Sequence, residues 1–493
     1  MKVVVIGAGL GGLSATCHLA GRGHEVVVLE REAVPGGRAG LVDEAGYRLD
    51  PGPTVLTMIG LLGETFAAAG ADIADHLTLR PVDPMYRACF PDGSELRVRH
   101  GRDAMADEIR AVCGPGDAAA FDRFCSWLEE LYQLEMPHFI ARNYDSPLGL
   151  ARDPMALLRL VRLGALRKLV PTVESYFSDP RLQRIFSFQA MYAGLSPFEA
   201  LAIYCVITYM DTVEGVFFPD GGIHQVAVGL TRAAEKAGAA FGWSQAVERI
   251  TRRADGAVQG VVLASGERVS ADAVVCNVDV PVAYRRLLGL APPRVARRGR
   301  YSPSCIVWLA GVRGALPPGA AHHNVHFGLA WREAFDALLR DGRRMPDPSI
   351  LVTSSTVSDP SLAPDGGAGL FVLEPAPNLD GRVAWAAERP QLRDELVARV
   401  GALGYPVDDV VVERLTDPRD WEAQGLERGT PFALAHRFFQ TGPFRPGNVD
   451  RRIPGLVFSG MGTVPGVGIP MVLVSGRLAA DRVDEWAERR GRG

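Results

Sequence analysis

The stretch that decides the fold is formed by residues 1–30, which read MKVVVIGAGLGGLSATCHLAGRGHEVVVLE. A short Val/Ile run precedes the glycines, and Ala15 and Leu19 follow them at helical spacing. A second Val-rich run ends the stretch at Glu30. The pattern predicts a strand, a tight turn, a helix and a second strand, which together make a βαβ unit.

The predicted turn carries a glycine motif. Gly7, Gly9 and Gly12 form the pattern GxGxxG, in which missing side chains permit a tight turn and close approach of the backbone to a pyrophosphate. Glu30 stands 18 residues beyond Gly12, where its carboxylate can accept hydrogen bonds from a ribose diol. The motif predicts a dinucleotide site for either NAD or FAD. A glycine-rich turn in some other α/β protein is the alternative.

Length and composition limit the class of protein. The chain has 493 residues, of which 47% are hydrophobic and 22% charged, as in globular proteins. Its 53 basic and 57 acidic side chains give a net charge of −4, which argues against a nucleic-acid partner. The cysteines, 7 in number and without a CxxC pair, argue against a disulfide framework or a structural zinc. A reducing cytoplasm fits best.

The segment that follows the dinucleotide motif favours FAD over NAD. Its sequence, EREAVPGGRAG, places Gly36, Gly37 and Arg38 shortly after Glu30. A dinucleotide motif extended by a GGR turn resembles the flavoprotein superfamily of amine oxidases, protoporphyrinogen oxidases and carotenoid desaturases. In this interpretation the Arg38 guanidinium pairs with the FAD phosphates, although a surface arginine is the alternative. Other positions taken as cofactor-binding are Arg31, Thr54 and Val247.

The C-terminal segment supplies a second glycine-rich turn. Residues 455–483, GLVFSGMGTVPGVGIPMVLVSGRLAADRV, predict a strand, a turn containing Gly462 and Gly468, and a helix that begins near Ile469. The free N–H groups and the positive dipole end of that helix would favour negative charge on a reduced flavin. An ordinary buried glycine turn is the alternative.

Several segments resemble bacterial-type phytoene desaturases over nearly the whole chain. They are GYRLDPGPTVLTM, FSFQAMYAGLSPFEALAIYCVITYM, GVFFPDGGIHQVAVGL, TVSDPSLAPDGGAGLFVLEPAPNL and GTVPGVGIP. The resemblance implies an FAD-dependent enzyme of carotenoid biosynthesis that introduces conjugated double bonds into phytoene or a related linear polyene. That family commonly has a His where this chain has Val464, which leaves the number of steps and the product open. The alternatives are a carotenoid oxidase or isomerase of the same fold and a non-enzymatic prenyl-lipid carrier.

The fold class expected from this resemblance is α/β, with a Rossmann-like FAD-binding domain of the GR2 type and an interposed substrate domain of mixed sheet and helices. We assign residues 1–75, 201–290 and 416–493 to the FAD-binding domain. Residues 76–200 are predicted to form a mainly helical substrate or membrane-facing region. Residues 291–415 are predicted to form a substrate domain with a sheet.

The candidate acid–base residues are Arg152 and Asp153, which stand immediately before Pro154. They resemble an Arg-Asp element that the family has near its flavin, and the resemblance implies that Asp153 accepts a proton. Arg152 would orient that carboxylate or bind a phosphate, or else is simply solvated. An Asp followed by Pro is also a typical helix N-cap. A histidine cluster is formed by His322, His323 and His326. The local sequence is strand-like, which would point His322 and His323 to opposite faces, so no metal site is predicted.

A polyene hydrocarbon would reside in a bilayer, yet no membrane-spanning segment is predicted. Residues 154–170 contain cations among Leu and Val, as an interfacial helix on anionic lipid would, and the alternative is a helix packed within the protein. We expect a cytoplasmic protein, peripheral on the inner face of the cell membrane, that uses a quinone or oxygen as electron acceptor. The four cations of this segment are Arg159, Arg162, Arg167 and Lys168.

Overall fold

A parallel sheet of five strands organises the cofactor-binding half of the protein. The computed structural model describes residues 1–491, apart from the side chain of residue 151. The predicted βαβ unit is present, with helix Leu10–Gly21 between strands Lys2–Ile6 and Glu25–Leu29. The order across the sheet is Leu456–Phe458, Ala273–Cys276, Lys2–Ile6, Glu25–Leu29 and Ala240–Gly242. Segments that are distant in sequence therefore complete the sheet.

Two helices beside this sheet pack against each other and bring the two ends of the chain together. Helix Leu10–Gly21 packs against helix Ile469–Gly491, and a Cβ placed on Gly476 would lie only 2.5 Å from the Ser14 Cβ. The Ser14 hydroxyl donates a hydrogen bond to the Leu473 carbonyl at 2.7 Å. This close contact holds the N-terminal and C-terminal glycine turns side by side.

A mixed sheet of seven strands forms the second half. Its neighbouring strands are antiparallel except for Tyr86–Cys89 and His323–His326, which are parallel. Strand Ser304–Arg313 is buried at every position but the last, as its apolar run predicts. The order is Val410–Thr416, Ser304–Arg313, Gly367–Ala376, Ile350–Thr353, His323–His326, Tyr86–Cys89 and Glu95–Val98.

The remaining strands form three small antiparallel sheets. Hairpins follow residue 247, where the turns contain Asp-Gly and Ser-Gly. Their strands are Val247–Arg252, Val258–Leu263 and Arg268–Ser270. The other two sheets pair Val42–Glu44 with Tyr47–Leu49, and Leu79–Pro81 with Phe217–Pro219.

The helices of the region 76–200 begin later than predicted. Three strands occupy residues 79–98, and two of them join the seven-stranded sheet, so the helical part starts at Arg102. The Pro-Asp-Gly turn at residues 91–93 joins strands Tyr86–Cys89 and Glu95–Val98. The α-helices of five or more residues are Leu10–Gly21, Ile59–Ala68, Arg102–Val112, Pro115–Glu135, Pro154–Arg162, Leu169–Tyr176, Pro180–Ile185, His224–Lys236, Arg294–Arg298, Trp385–Ala402, Pro418–Ala423 and Ile469–Gly491.

The interfacial helix predicted for residues 154–170 is broken in the structure. Helix Pro154–Arg162 ends before Gly164, whose φ of +80° lies in the left-handed region that glycine adopts without strain. A second helix begins at Leu169. Across the part of the chain that is described, no helix combines the length and the apolar character needed to cross a bilayer.

Candidate active site

One cavity connects the two halves of the protein. Its volume is about 1500 Å³, and it extends from the N-terminal glycine turn to the face of the seven-stranded sheet. Predicted cofactor-binding residues line it at one end: Gly7, Gly9, Glu30, Arg31, Gly37, Arg38, Thr54, Val247, Gly462, Gly468 and Ile469. Gly12 packs behind this lining, where a Cβ would lie 2.1 Å from the Gly7 carbonyl oxygen.

Asn277 lies between the two glycine turns. A Cβ on Gly9 would approach the Asn277 Nδ2 to 2.8 Å, and a Cβ on Gly460 would approach its Oδ1 to 2.6 Å. The Asn277 amide therefore lies against both turns. No role is predicted for Asn277 from the sequence, although it is the first residue after strand Ala273–Cys276, at the edge of a parallel sheet where ligands bind.

Glu30 is buried at the end of its strand with a fixed orientation. Its Oε2 accepts a hydrogen bond from the Ala8 N–H at 2.6 Å, and its Oε1 accepts one from the Glu32 N–H at 2.9 Å. Each carboxylate oxygen can accept more than one hydrogen bond. The carboxylate is thus fixed in place beside the cavity with capacity left for ribose hydroxyls.

Arg38 and Asp279 lie beside the C-terminal glycine turn, near enough for each charge to affect the pKa of the other group. One Arg38 nitrogen donates to the Pro431 carbonyl oxygen, and burial lowers the pKa of Arg38. Asp279 accepts from the Glu427 N–H at 2.9 Å, whereas its Oδ1 has no partner and lies 2.9 Å from where a Gly462 Cβ would be. Burial raises the pKa of Asp279 to about 6, and the Arg38 charge opposes that rise. Pairing of Arg38 with phosphates stays a prediction.

The C-terminal helix begins at Ile469 as predicted, directly after the glycine turn. A Cβ on Gly466 would lie 2.3 Å from the His436 imidazole, so glycine makes room for this ring. The His436 Nδ1 is hydrogen-bonded to the Thr441 hydroxyl at 3.1 Å, and its Nε2 has no partner. Burial lowers the pKa of His436 well below its usual value, so the ring is neutral.

These residues fit a flavin dinucleotide. The glycine turns leave a cradle that side chains would fill, and helix Leu10–Gly21 starts without a side-chain cap, which leaves N–H groups free for a pyrophosphate. Glu30 supplies an oriented carboxylate at the strand end. The unpartnered Asp279 Oδ1 provides an acceptor for a hydroxyl group.

The rest of the cavity is mostly apolar but contains two buried carboxyl groups, those of Asp211 and Glu135. Asp211 accepts hydrogen bonds from the Gln189 amide at 2.5 Å and the Thr212 hydroxyl at 2.8 Å, and burial raises its pKa to about 7. Glu135 has an Oε1 without a partner. The apolar lining includes Leu160, Phe188, Met191, Ile203, Phe327, Trp331, Phe335, Phe371 and Leu373.

Asp153 and Arg152 lie outside the set of residues that line this cavity. Asp153 caps helix Pro154–Arg162, accepting from the Ala156 N–H at 3.3 Å, and its other oxygen lies 2.5 Å from the His138 Nδ1. Arg152 pairs with Asp145 at 3.6 Å and is half exposed. The geometry favours the capping role, and the catalytic roles of both residues stay predictions.

Substitutions of Asp153 separate the two roles. Asp153→Ala should lower the free energy of unfolding by about 1 kcal/mol because the helix loses its cap. Asp153→Asn keeps a capping oxygen but removes the carboxylate, so we expect it to retain most of the stability in chemical denaturation. A fall in kcat of more than tenfold in the Asn variant would contradict a purely capping role.

The histidine cluster differs from the prediction. His322 precedes strand His323–His326, so the alternation of strand side chains does not apply to it, and the two rings contact each other with centroids 4.4 Å apart. The expectation of opposite faces is therefore wrong. His322 is hydrogen-bonded to Ser358 and His323 to Thr353. Within residues 1–491, no group of three or more His, Cys, Asp or Glu side chains is arranged to hold a metal ion.

The fold and the site together define an FAD-dependent oxidoreductase. Comparison with known families makes this assignment more specific. The chain belongs to the flavin containing amine oxidoreductase family, whose sequence model matches residues 10–484. The predicted α/β flavoprotein fold and FAD cofactor are thereby confirmed.

Individual relatives agree with the family assignment. The chain is 47% identical to a phytoene dehydrogenase of Streptomyces griseus, over 98% of this chain and 94% of the relative. It is 38% identical to a zeta-carotene-forming phytoene desaturase of Myxococcus xanthus, over 99% and 95% of the two chains. The predicted resemblance to bacterial-type phytoene desaturases is confirmed. A cyclohexylamine oxidase from Brevibacterium oxydans shares the fold with a TM-score of 0.60 and 18% identity, covering 99% of both chains.

Proposed function

We propose that the protein is a carotenoid desaturase that introduces conjugated double bonds into phytoene or a related linear polyene. The observation that carries this proposal is the cavity of about 1500 Å³, which leads from the dinucleotide cradle into a mostly apolar space. An apolar space of this kind suits a hydrocarbon chain, which needs burial from water and no polar recognition. The names of the relatives support the same substrate class.

The chain's own contribution to this reaction is positioning. When bound, FAD supplies the hydride acceptor. Aromatic side chains such as Phe188, Phe327 and Trp331 restrict where an extended polyene can lie, which raises the chance that one carbon–carbon bond is held in a reactive position. The apolar walls also exclude water from the site. Val464 is buried next to Pro465 and contributes no polar group.

A cluster of exposed apolar side chains supports membrane association. It lies on and before helix Pro154–Arg162, whose Leu157 and Leu160 also line the cavity. Segment Gly442–Phe444 contacts segment Pro147–Arg152, and exposed phenylalanines precede it. We call the following side chains the entrance patch: Leu148, Met155, Leu158, Val161, Phe438 and Phe439, exposed by 82%, 63%, 40%, 50%, 51% and 72%.

The entrance patch would let a hydrocarbon pass from a bilayer to the cavity without crossing water. We propose that it rests on the inner face of the cell membrane, with the protein otherwise in the cytoplasm. Two of the four predicted cations are engaged within the protein, Arg159 with Glu130 and Lys168 with the Glu199 carbonyl. Apolar contact therefore contributes more to the proposed attachment than charge does. A quinone or oxygen is the proposed final electron acceptor.

Anaerobic incubation with phytoene in liposomes tests the proposed function. We expect the flavin absorbance to bleach while chromatography detects products with more conjugated double bonds. Isomers formed without net flavin bleaching would favour an isomerase, and oxygenated products that appear only in air would favour an oxidase. A protein that binds flavin but leaves both flavin and polyene unchanged would contradict the proposal.

A further inference from the structure

Glu135 has a buried carboxyl group that lines the cavity and lacks a hydrogen-bond partner at one oxygen. It ends helix Pro115–Glu135, is only 4% exposed and lines the cavity. Its Oε1 has no hydrogen-bond partner, and no salt bridge to Glu135 occurs within residues 1–491. Burial of a carboxyl group is unfavourable when its polar atoms lack hydrogen-bond partners. Buried carboxyl groups that lower the stability of the fold are often found at functional sites, which makes Glu135 a candidate for a role in the reaction.

The backbone around Glu135 is also irregular. The α-helix continues into a single π-helical turn, Met136–Ile140. Such insertions widen the helix and occur frequently at functional sites. Phe139 and Ile140 of this turn line the cavity together with Glu135. The irregularity thus lies at the point where the helix presents its side chains to the substrate space.

Neighbouring side chains connect Glu135 to the C-terminal glycine turn. Tyr204 and Cys205 lie close enough for a negative charge on Glu135 to raise their pKa values. The Tyr204 hydroxyl donates to the His436 carbonyl, and the His436 ring packs against Gly466. Glu135 is therefore near the end of the cavity that holds the predicted flavin contacts Gly462 and Gly468.

We propose that Glu135 is the catalytic residue that accepts the proton released during desaturation. This inference rests on the proposed function. One allylic carbon would lose a hydride with both electrons of its C–H bond, for which bound FAD would supply the acceptor. The C–H bond on the adjacent carbon then breaks, its electron pair becomes the new π bond, and its proton moves to a carboxylate oxygen of Glu135. The proton passes to water between turnovers.

The other candidate groups suit this role less well. Both Asp211 oxygens already accept hydrogen bonds, from Gln189 and Thr212. Asp153 lies outside the cavity lining and caps a helix. The His436 Nε2 is buried against Gly466 and has less than 1 Å² of accessible surface. Asp279 also lines the cavity with an unpartnered oxygen, but its other oxygen accepts from the Glu427 N–H, and it lies near Arg38 among the predicted cofactor contacts. Glu135 instead lies beside the apolar lining residues Phe139 and Ile140.

The pH dependence follows from the surroundings of Glu135. The titratable groups that face it are Tyr204 and Cys205, both neutral at ordinary pH, because burial raises their pKa values. With no cation paired to it among the described residues, desolvation raises the pKa of Glu135 well above that of an ordinary carboxyl group. The carboxylate form accepts the proton, so kcat should rise with pH through this raised pKa.

The folded protein should also be less stable where Glu135 ionises. Because the folded-state pKa is raised, the native protein binds this proton more tightly than the unfolded chain does. The free energy of unfolding therefore falls as pH rises from the ordinary carboxyl range through the raised pKa. Glu135→Gln cannot ionise and should lack this component of the pH dependence, which chemical denaturation at several pH values measures.

The direct test compares Glu135→Gln with Glu129→Gln, an exposed glutamate on the same helix. Removing a general base lowers rates by about 10² to 10⁴. We expect Glu135→Gln to lower kcat at least 100-fold with KM within about threefold, and to remove the acidic limb of the pH–kcat profile. FAD affinity and the flavin spectrum should be unchanged. Glu129→Gln should match the wild type in all five measurements.

An infrared titration supplies a readout independent of turnover. The flavin-loaded wild type should show the C=O band of a protonated carboxyl group at pH values where ordinary carboxyl groups are ionised, and Glu135→Gln should lose that band. Suppose that the wild type desaturates phytoene. The proposed function then stands, but the role of Glu135 is wrong if Glu135→Gln keeps kcat within threefold or loses no such band. If the wild type itself forms no lengthened polyene, both proposals fail.

Discussion

Replacing Gly12 with alanine is expected to abolish retention of FAD during purification. The new Cβ would lie 2.1 Å from the Gly7 carbonyl oxygen, which belongs to the backbone of the glycine turn. That oxygen cannot move aside as a flexible side chain would, so the helix and the turn must separate. We expect FAD to bind at least 100-fold more weakly, which is about 2.7 kcal/mol, in a fluorescence titration of the apoprotein.

Gly63→Ala is the matched control for this prediction. Gly63 lies in helix Ile59–Ala68, and nothing lies within 4 Å of a Cβ built on it. Because alanine is the better helix former, the control should be as stable as the wild type or up to about 1 kcal/mol more stable. It should bind FAD normally. Normal FAD binding by Gly12→Ala would mean that the turn tolerates the added methyl group and that the proposed cradle is wrong.

The sequence was most informative where a local rule applies. The βαβ unit and the helix starting at Ile469 were predicted because each depends on neighbours along the chain. Short apolar runs specify strands, and Gly or Pro residues specify turns and helix starts. The glycine positions at both ends of the chain follow the same logic, and the structure brings them together around one cavity.

The sequence was least informative where the surroundings of a side chain depend on contacts between distant segments. Glu135 ends an ordinary amphipathic helix, and nothing in its neighbours along the chain distinguishes it from the exposed Glu129. The burial of Glu135 depends on segments distant in sequence, among them the one that brings Tyr204 and Cys205 near its carboxyl group. His322 was misassigned for the same reason, because the start of its strand is set by pairing with residues 350–353.

Asn277 is an intermediate case. It directly follows a four-residue buried strand, and polar residues at the carboxyl ends of parallel strands often contact ligands. That signal was present but ambiguous, since the parallel pairing of Ala273–Cys276 with Lys2–Ile6 joins segments about 270 residues apart. Recognising Asn277 would have required knowing that its strand lies next to the first one.

Replacing three members of the entrance patch should detach the protein from vesicles. The substitutions are Leu148→Ser, Met155→Ser and Val161→Ser, at side chains exposed by 82%, 63% and 50%. Full burial of one such side chain contributes about 1.5–3 kcal/mol, so partial insertion of three should contribute about 3 kcal/mol. We expect partitioning into phosphatidylcholine–phosphatidylglycerol liposomes, measured by flotation, to fall about 100-fold.

The control for the entrance patch removes exposed apolar surface elsewhere. Val34→Ser and Val357→Ser change side chains exposed by 51% and 43%, and Val357 belongs to a segment that packs on strand Gly367–Ala376. This double variant should still float with the liposomes. The patch variant should lose activity on phytoene in liposomes but keep it in detergent micelles, because its cavity is intact. Equal flotation of both variants would show that the protein contacts the bilayer through another surface, and the cavity would then need a different route for its hydrocarbon.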